Sequence, residues 1–196
     1  MPVTTRAVWA GRFQPFHMGH LHTLQRMASM RHPLVVAVIA ADDTEGRGAF
    51  GKMAAAAGAS GSNPLTVWER TEMISLALAA EPWARSVRTI GAPRPDLDWS
   101  LTTSFYPRPR VIYVTDRDQF EAAKLSRYRS LEEKVVVVGV TDLPEMSATE
   151  VRRRIAAGED WQSLMHPATI DYFKEIDGPA RFGGAGADGS GGEGGE

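Results

Sequence analysis

The chain has 196 residues, 43% of them hydrophobic, and a formal net charge of −2, which suits one domain of ordinary size with its own core. It contains no cysteine, so disulfides and thiolate metal sites are excluded. Setting aside the three acids of the last fourteen residues leaves 22 basic against 21 acidic residues in the body, a balance that argues against a general nucleic-acid or membrane surface.

The N-terminus MPVTTRAVWAGRF has neither the charged start nor the apolar run of a signal peptide, and no later stretch approaches bilayer length. A cytoplasmic protein is expected. Ala7 to Ala10 gives a first, weak strand candidate, followed by a helical stripe through Leu21, Leu24 and Ala28. LVVAVIA (Leu34 to Ala40) has the composition of a buried parallel strand. The stretch 42–63 is rich in Gly, Ala and Ser and too long for a simple connection, so a mobile insertion loop is expected there. Thr66 to Ala80 opens with a Thr66–Glu69 capping box and continues as a helix. A second weak strand, Val87 to Ile90, precedes VIYV (Val111 to Val114), a helix over Asp118 to Ser126, and VVVV (Val135 to Val138), read as another buried strand. Two helices close the body, one after Ser147 and one from Pro167 to Ile176 that stops at Gly178. From Gly183 the sequence holds eight glycines in fourteen residues and is expected to be a disordered tail. The strand–helix rhythm implies an α/β fold, a doubly wound parallel sheet in a single domain over 1–182, whose ligand site lies outside the carboxyl ends of the strands.

One motif inside the insertion is a decoy. GRGAFGK (Gly46 to Lys52) has P-loop spacing after a strand, but Met53 stands where a Ser or Thr would bind magnesium. Chance spacing in a glycine-rich segment is the better explanation.

GRFQPFHMGH (Gly11 to His20) is far more specific. With a strand ending near Ala10 and a helix starting near Met18, His17 and His20 project from one side of the helix start. Unpaired N–H groups and the positive end of the helix dipole collect an anion there, and Gly19, lacking a Cβ, would let a ligand approach the backbone. The matching piece is MSATEVRRRIAAGEDW from Met146. Ser147 and Glu150 fit a capping box, which accounts for a plain helix start. It leaves Arg152, Arg153 and Arg154 unexplained, three cations in the first turns that oppose the dipole. With the hydroxyls of Ser147 and Thr149 and the guanidinium of Arg152, this helix start has the makings of a second phosphate clamp.

HMGH together with SATEVR resembles the paired signatures of the nucleotidylyltransferase superfamily, H-x-G-H and S-x-T-x-x-R. The fuller stretches GRFQPFHMGH, NPLTVWER (Asn63 to Arg70) and MSATEVRRRIAAGEDW resemble archaeal-type nicotinamide-nucleotide adenylyltransferases, across nearly all of residues 6 to 182. The resemblance implies a Rossmann-like sheet, a homo-oligomer, and synthesis of NAD and pyrophosphate from ATP and nicotinamide mononucleotide, with Mg2+ carried by the nucleotide. It places Gly11, Arg12, Phe13, Gln14 and Gly19 around the nucleotide and Trp99 against the acceptor base. His17 and His20 would hydrogen-bond the α and β phosphates, and Arg12 and Arg152 would clamp the triphosphate tail. The incoming phosphate is already ionised, so no general base is needed, and catalysis reduces to alignment and charge stabilisation.

Two positions depart from the family. Thr115, Asp116 and Arg117 stand after the fourth strand where relatives carry small residues, and Asp96 stands where they carry an asparagine near the nicotinamide amide. Asp116 could still reach a ribose hydroxyl. Asp96, with Asp98, is expected to favour the cationic pyridinium of nicotinamide mononucleotide and to repel the carboxylate of the nicotinate form. Two other readings stay open: a nucleotidylyltransferase using ATP or CTP on another phosphorylated small molecule in specialised metabolism, and a non-catalytic nucleotide sensor.

Overall fold

A computed structural model gives the fold and describes residues 3–40 and 64–183. Five strands, β1 (Arg6–Gly11), β2 (Leu34–Ile39), β3 (Arg88–Ala92), β4 (Arg110–Thr115) and β5 (Val135–Val138), form one parallel sheet in the order β3-β2-β1-β4-β5. The P-loop-like segment, the insertion 42–63 and all of the glycine-rich tail but Gly183 lie outside the described residues.

Side-chain alternation along the three central strands builds two apolar layers. Ala7 and Trp9, Leu34, Val36 and Val38, and Val111 and Tyr113 enter one cluster. Val8 and Ala10, Val35 and Ala37, and Ile112 and Val114 enter the other. Helices α1 (Met18–Ala28), α2 (Val67–Ala79), α5 (Ala148–Ala157) and α6 (Pro167–Glu175) cover the first layer through Leu21, Leu24, Met73, Ile74, Ile155 and Phe173. Helices α3 (Trp99–Phe105) and α4 (Gln119–Ser130) cover the second through Trp99, Leu125 and Tyr128. Each fully buried aliphatic or Phe side chain contributes about 1.5–3 kcal/mol, so this double layer carries the fold. No helix among the described residues is long and apolar enough to cross a membrane.

Three expectations need correction. The run Val135–Val138 forms an edge strand, with Val137 43% exposed. An apolar run alone does not distinguish an edge from a centre. The helix expected to stop at Gly178 ends at Glu175, because Asp177 takes a left-handed conformation (φ 54°), and Gly178 opens a one-turn helix α7 (Gly178–Arg181). Glycine is required at that point because a Cβ would lie 2.2 Å from the Phe173 ring. Helix α3 was not anticipated: it spans seven residues, too few to display a period, and Asp98 starts it by accepting the Leu101 N–H at 2.8 Å.

Candidate active site

The turn after β1 is built from its own side chains. Phe13 adopts φ 54° and folds its ring beneath the strand end, 2.7 Å from where a Cβ on Gly11 would sit. It meets Trp9 edge-on at 5.2 Å and His20 at 5.0 Å. Gln14 spends both ends of its amide on Leu65, donating to the carbonyl at 2.7 Å and accepting the N–H at 3.2 Å. The fully buried Arg70, from the NPLTVWER stretch, donates to the carbonyls of Arg12, Ile39 (2.9 Å) and Leu65 (3.1 Å). The side chains of Phe13 and Gln14, expected at the nucleotide, are therefore committed to the protein. They hold the loop while Gly11 and Arg12 stay partly exposed beside it.

His17 and His20 sit at the N-terminus of α1 with their rings stacked, centroids 3.7 Å apart. The His17 N–H donates to Nδ1 of His20 at 3.3 Å, which leaves the His20 proton on Nε2, the nitrogen available as a donor. Phe16 stacks on the far side of His20 at 5.6 Å. Burial, then the charges of Arg117 and Arg152, lower the His17 pKa to about 3. Burial, then His17, Arg117 and Lys124, hold His20 well below its ordinary value. Both imidazoles are thus neutral donors at physiological pH. Nδ1 of His17 is buried with no hydrogen-bond partner among the described residues.

The two signatures meet at Gly19. A Cβ there would lie 2.8 Å from Cβ of Met146 and 3.1 Å from the His17 ring. The close approach of the two helix starts by itself requires glycine here. From α5, Arg152 reaches back to donate to the Gln14 carbonyl at 2.7 Å and to the Thr149 hydroxyl at 3.1 Å. Ser147 caps α5 by accepting the Glu150 N–H at 3.1 Å. Two of the three arginines expected to oppose the dipole do not. Arg153 pairs with Glu150 and Glu159, and Arg154 pairs with Glu150 at 2.9 Å in the last turn of a ten-residue helix, where a cation is favourable.

At the sheet's switch point β1 and β4 pair only from Arg6↔Arg110 to Val8↔Ile112 and then part. Two residues not anticipated as site residues satisfy the backbone groups this exposes. Lys124 donates to the Ala10 carbonyl at 3.0 Å and to Glu121 at 2.7 Å, and Glu121 accepts the Thr115 N–H at 2.9 Å. Burial alone would raise the Glu121 carboxyl, but Lys124 and the Thr115 N–H hold it below its ordinary value. The signal was present in the sequence: Glu121 and Lys124, three apart, occupy the inward stripe of the helix that follows the switch-point strand. Asp116 lies at the end of β4, exposed, one oxygen taking the Val140 N–H at 2.8 Å. Arg117 beside it turns toward the histidines, donating to the Met146 carbonyl at 3.4 Å and to Thr23 at 3.3 Å.

Trp99 and Asp96 belong to the opposite layer. The Trp99 ring packs on Tyr128 at 5.6 Å and Tyr106 at 6.1 Å, with the Arg110 guanidinium 5.7 Å above it. Asp96, 3% exposed, makes a two-pronged bond to Arg94 at 2.8 and 3.2 Å. Asp98 is the α3 cap. This overturns the expectation of free aspartates repelling a nicotinate carboxylate, because one charge is neutralised and the other is spent on a helix start.

No group of three or more His, Asp or Glu among the described residues is placed to hold a metal ion. Residues 8–154 match the family model for cytidylyltransferase-like proteins. The chain is 33% identical over 187 residues to nicotinamide-nucleotide adenylyltransferase of Halobacterium salinarum, covering 91% of this chain and 90% of the relative. It is 30% identical over 182 residues to the Pyrococcus horikoshii enzyme of the same name, covering 90% and 87%. Among solved structures, a bifunctional NMN adenylyltransferase/ADP ribose pyrophosphatase from Francisella tularensis, complexed with AMP and a manganese ion, superimposes with a TM-score of 0.63 at 17% identity. The alignment spans 92% of this chain and 51% of that one and shows the shared fold. A parallel sheet that parts between β1 and β4, a stacked histidine pair at one helix start and an arginine returning from another agree with those matches: the chain belongs to the cytidylyltransferase-like family of nucleotidyltransferases, as a relative of the archaeal nicotinamide-nucleotide adenylyltransferases.

Proposed function

We propose that the protein is an adenylyltransferase that joins ATP and nicotinamide mononucleotide into NAD and pyrophosphate. The observation that carries this reading is the pair of neutral, stacked histidines flanked by Arg117 and Arg152 at the switch point. A general base is not needed there, because a phosphate monoester is ionised at neutral pH. An oxygen of the acceptor phosphate attacks the α-phosphorus of ATP, and the bond to the β,γ-pyrophosphate breaks. Neutral N–H donors at His17 and His20 stabilise charge on the transferring group and on the departing pyrophosphate without repelling the neighbouring arginines. Arg152, already anchored on the Gln14 carbonyl, brings a guanidinium to the same phosphates at little cost in ordering. The nucleotide enters as its Mg2+ complex, so the divalent ion is part of the substrate; a manganese ion accompanies AMP in the Francisella neighbour. Asp116, with one oxygen still exposed, suits a ribose hydroxyl.

Nicotinamide mononucleotide is favoured as acceptor by the names of the relatives and no longer by aspartate repulsion, since Asp96 is paired with Arg94. The test is pyrophosphate release over a panel of ATP and CTP crossed with nicotinamide mononucleotide, nicotinate mononucleotide and other phosphorylated acceptors. ATP with nicotinamide mononucleotide is expected to give the highest kcat/KM. A higher value for CTP, or for a non-pyridine acceptor, would overturn the assignment, and binding without turnover would mark a sensor.

A further inference from the structure

Most described arginines near a carboxylate are paired with one: Arg26 with Asp142, Arg94 with Asp96, Arg110 with Glu133, Arg181 with Glu69. Arg117 has no carboxylate partner among the described residues, although its chain neighbours are both aspartates. Asp116 is turned to the Val140 N–H and Asp118 caps α4 through the Glu121 N–H. Its guanidinium is partly buried and held only by two neutral acceptors, the Met146 carbonyl at 3.4 Å and the Thr23 hydroxyl at 3.3 Å, both long. Met146 is the residue that packs against Gly19, on which the His17 ring also closes. The cation therefore stands between the start of α5 and the first turns of α1, and both it and Arg152 act on His17 through their charge. A partly buried cation with no counter-charge is unfavourable unless an anion completes it.

We infer that Arg117 is a further phosphate-binding arginine of this site, acting with Arg152 beside His17 on the pyrophosphate portion of the nucleotide. The inference rests on the adenylyltransferase reading and deepens it. Arg117 contributes more than any other charge, after burial, to keeping His17 neutral, which is the field an incoming polyphosphate meets. A guanidinium offers two parallel donors to phosphate oxygens where the Met146 and Thr23 acceptors engage it weakly. In the ligand-bound protein these two neutral contacts give way to charge-assisted ones.

The test measures binding of inorganic pyrophosphate, ATP and adenosine, with Mg2+, to the full chain and to Arg117→Met and Arg117→Lys, together with thermal midpoints without ligand. Arg117→Met is expected to weaken pyrophosphate and ATP by about tenfold or more, to leave adenosine unchanged, and to melt at the same or a higher temperature. Arg117→Lys is expected to regain part of the loss, because it restores the charge without the fork. Unchanged pyrophosphate affinity in Arg117→Met would overturn the inference. So would a lowered midpoint with all three ligands weakened alike, the signature of a brace between α1 and α5. Failure of the parent chain to bind ATP or pyrophosphate at all would instead sink the adenylyltransferase reading, so the two failures are distinguishable.

Discussion

The two layers flanking the sheet treat charged groups in opposite ways. Where β1 and β4 part, among the described residues His17 keeps a buried nitrogen without a partner and Arg117 has no carboxylate. Around Trp99, Asp96 is matched by Arg94, Arg110 by Glu133, and aromatic rings fill the space. In charge the first region is unfinished and the second is closed, the buried groups left unmatched around Trp99 being the neutral hydroxyls of Tyr106 and Tyr128. Burying polar groups unmatched costs stability, so the unfinished region is the one where a ligand's charge would change the energy most. The position of the histidine motif and the electrostatics of the folded chain thus point to the same place by independent routes.

The largest expected effect lies in the unfinished region. His20→Ala and His17→Ala should each reduce turnover about 10² to 10³-fold, the scale for losing one charge-stabilising donor, with the thermal midpoint confirming a folded protein. Near-normal turnover in both would remove the distinction between the layers.

Acid exposes the same region. The unfolded histidine value is 6.5, the folded value of His17 is about 3, and His20 is shifted in the same direction. Below pH 6.5 the unfolded chain binds protons that the folded chain refuses. The stability contributed by these two neutral imidazoles is thus complete above 6.5 and is lost as the pH falls from there toward about 3. Each histidine removes up to about 1.4 kcal/mol per pH unit in that window. Denaturant unfolding at pH 7, 6 and 5 checks this. His17→Asn with His20→Asn should flatten the decline between pH 6.5 and 5, before carboxylates begin to titrate.

In the closed region Asp96→Asn should act mainly on stability. Leaving Arg94 without its two-pronged partner should cost about 1.5–3 kcal/mol. The ratio of kcat/KM for nicotinamide and nicotinate mononucleotides should move little, since the Asp96 charge is already neutralised. A large change in that ratio at constant stability would reinstate Asp96 as an acceptor-reading residue. Smallest of all is Glu150→Gln on the exposed face of α5. It removes one carboxylate from Arg153 and Arg154 while Arg153 keeps Glu159, and should shift the thermal midpoint slightly, with the difference vanishing in high salt.

The fold was legible where periodicity and burial agree. Leu34 to Ala40 and Val111 to Val114, apolar on both faces, were readable as buried strands, and Thr66 with Glu69 as a helix start that forms both halves of its capping box. Helix α3 and the left-handed Asp177 turn were not legible, because each depends on too few residues to form a pattern. Of the candidate site, the placement of His17 and His20 at one helix start and of Arg152 on another was legible, and the structure brings them together. Arg117 and the Arg94–Asp96 pair were not legible, since which charge meets which depends on how loops from separate strands converge; the Glu121–Lys124 spacing was readable, but not the Ala10 carbonyl that Lys124 meets. Phe13 and Gln14 mark the same limit: the motif located them correctly in the turn, but only folding shows that they face inward to hold it.

The adenylyl-transfer claim is tested most directly by following two labels through one reaction, ATP labelled at the α-phosphate and ATP labelled at the γ-phosphate, each incubated with Mg2+, nicotinamide mononucleotide and the full chain. The α label should appear in NAD and the γ label in pyrophosphate, one for one. Recovery of the α label as ADP or AMP with no dinucleotide formed, or of the γ label on the acceptor, would contradict the account.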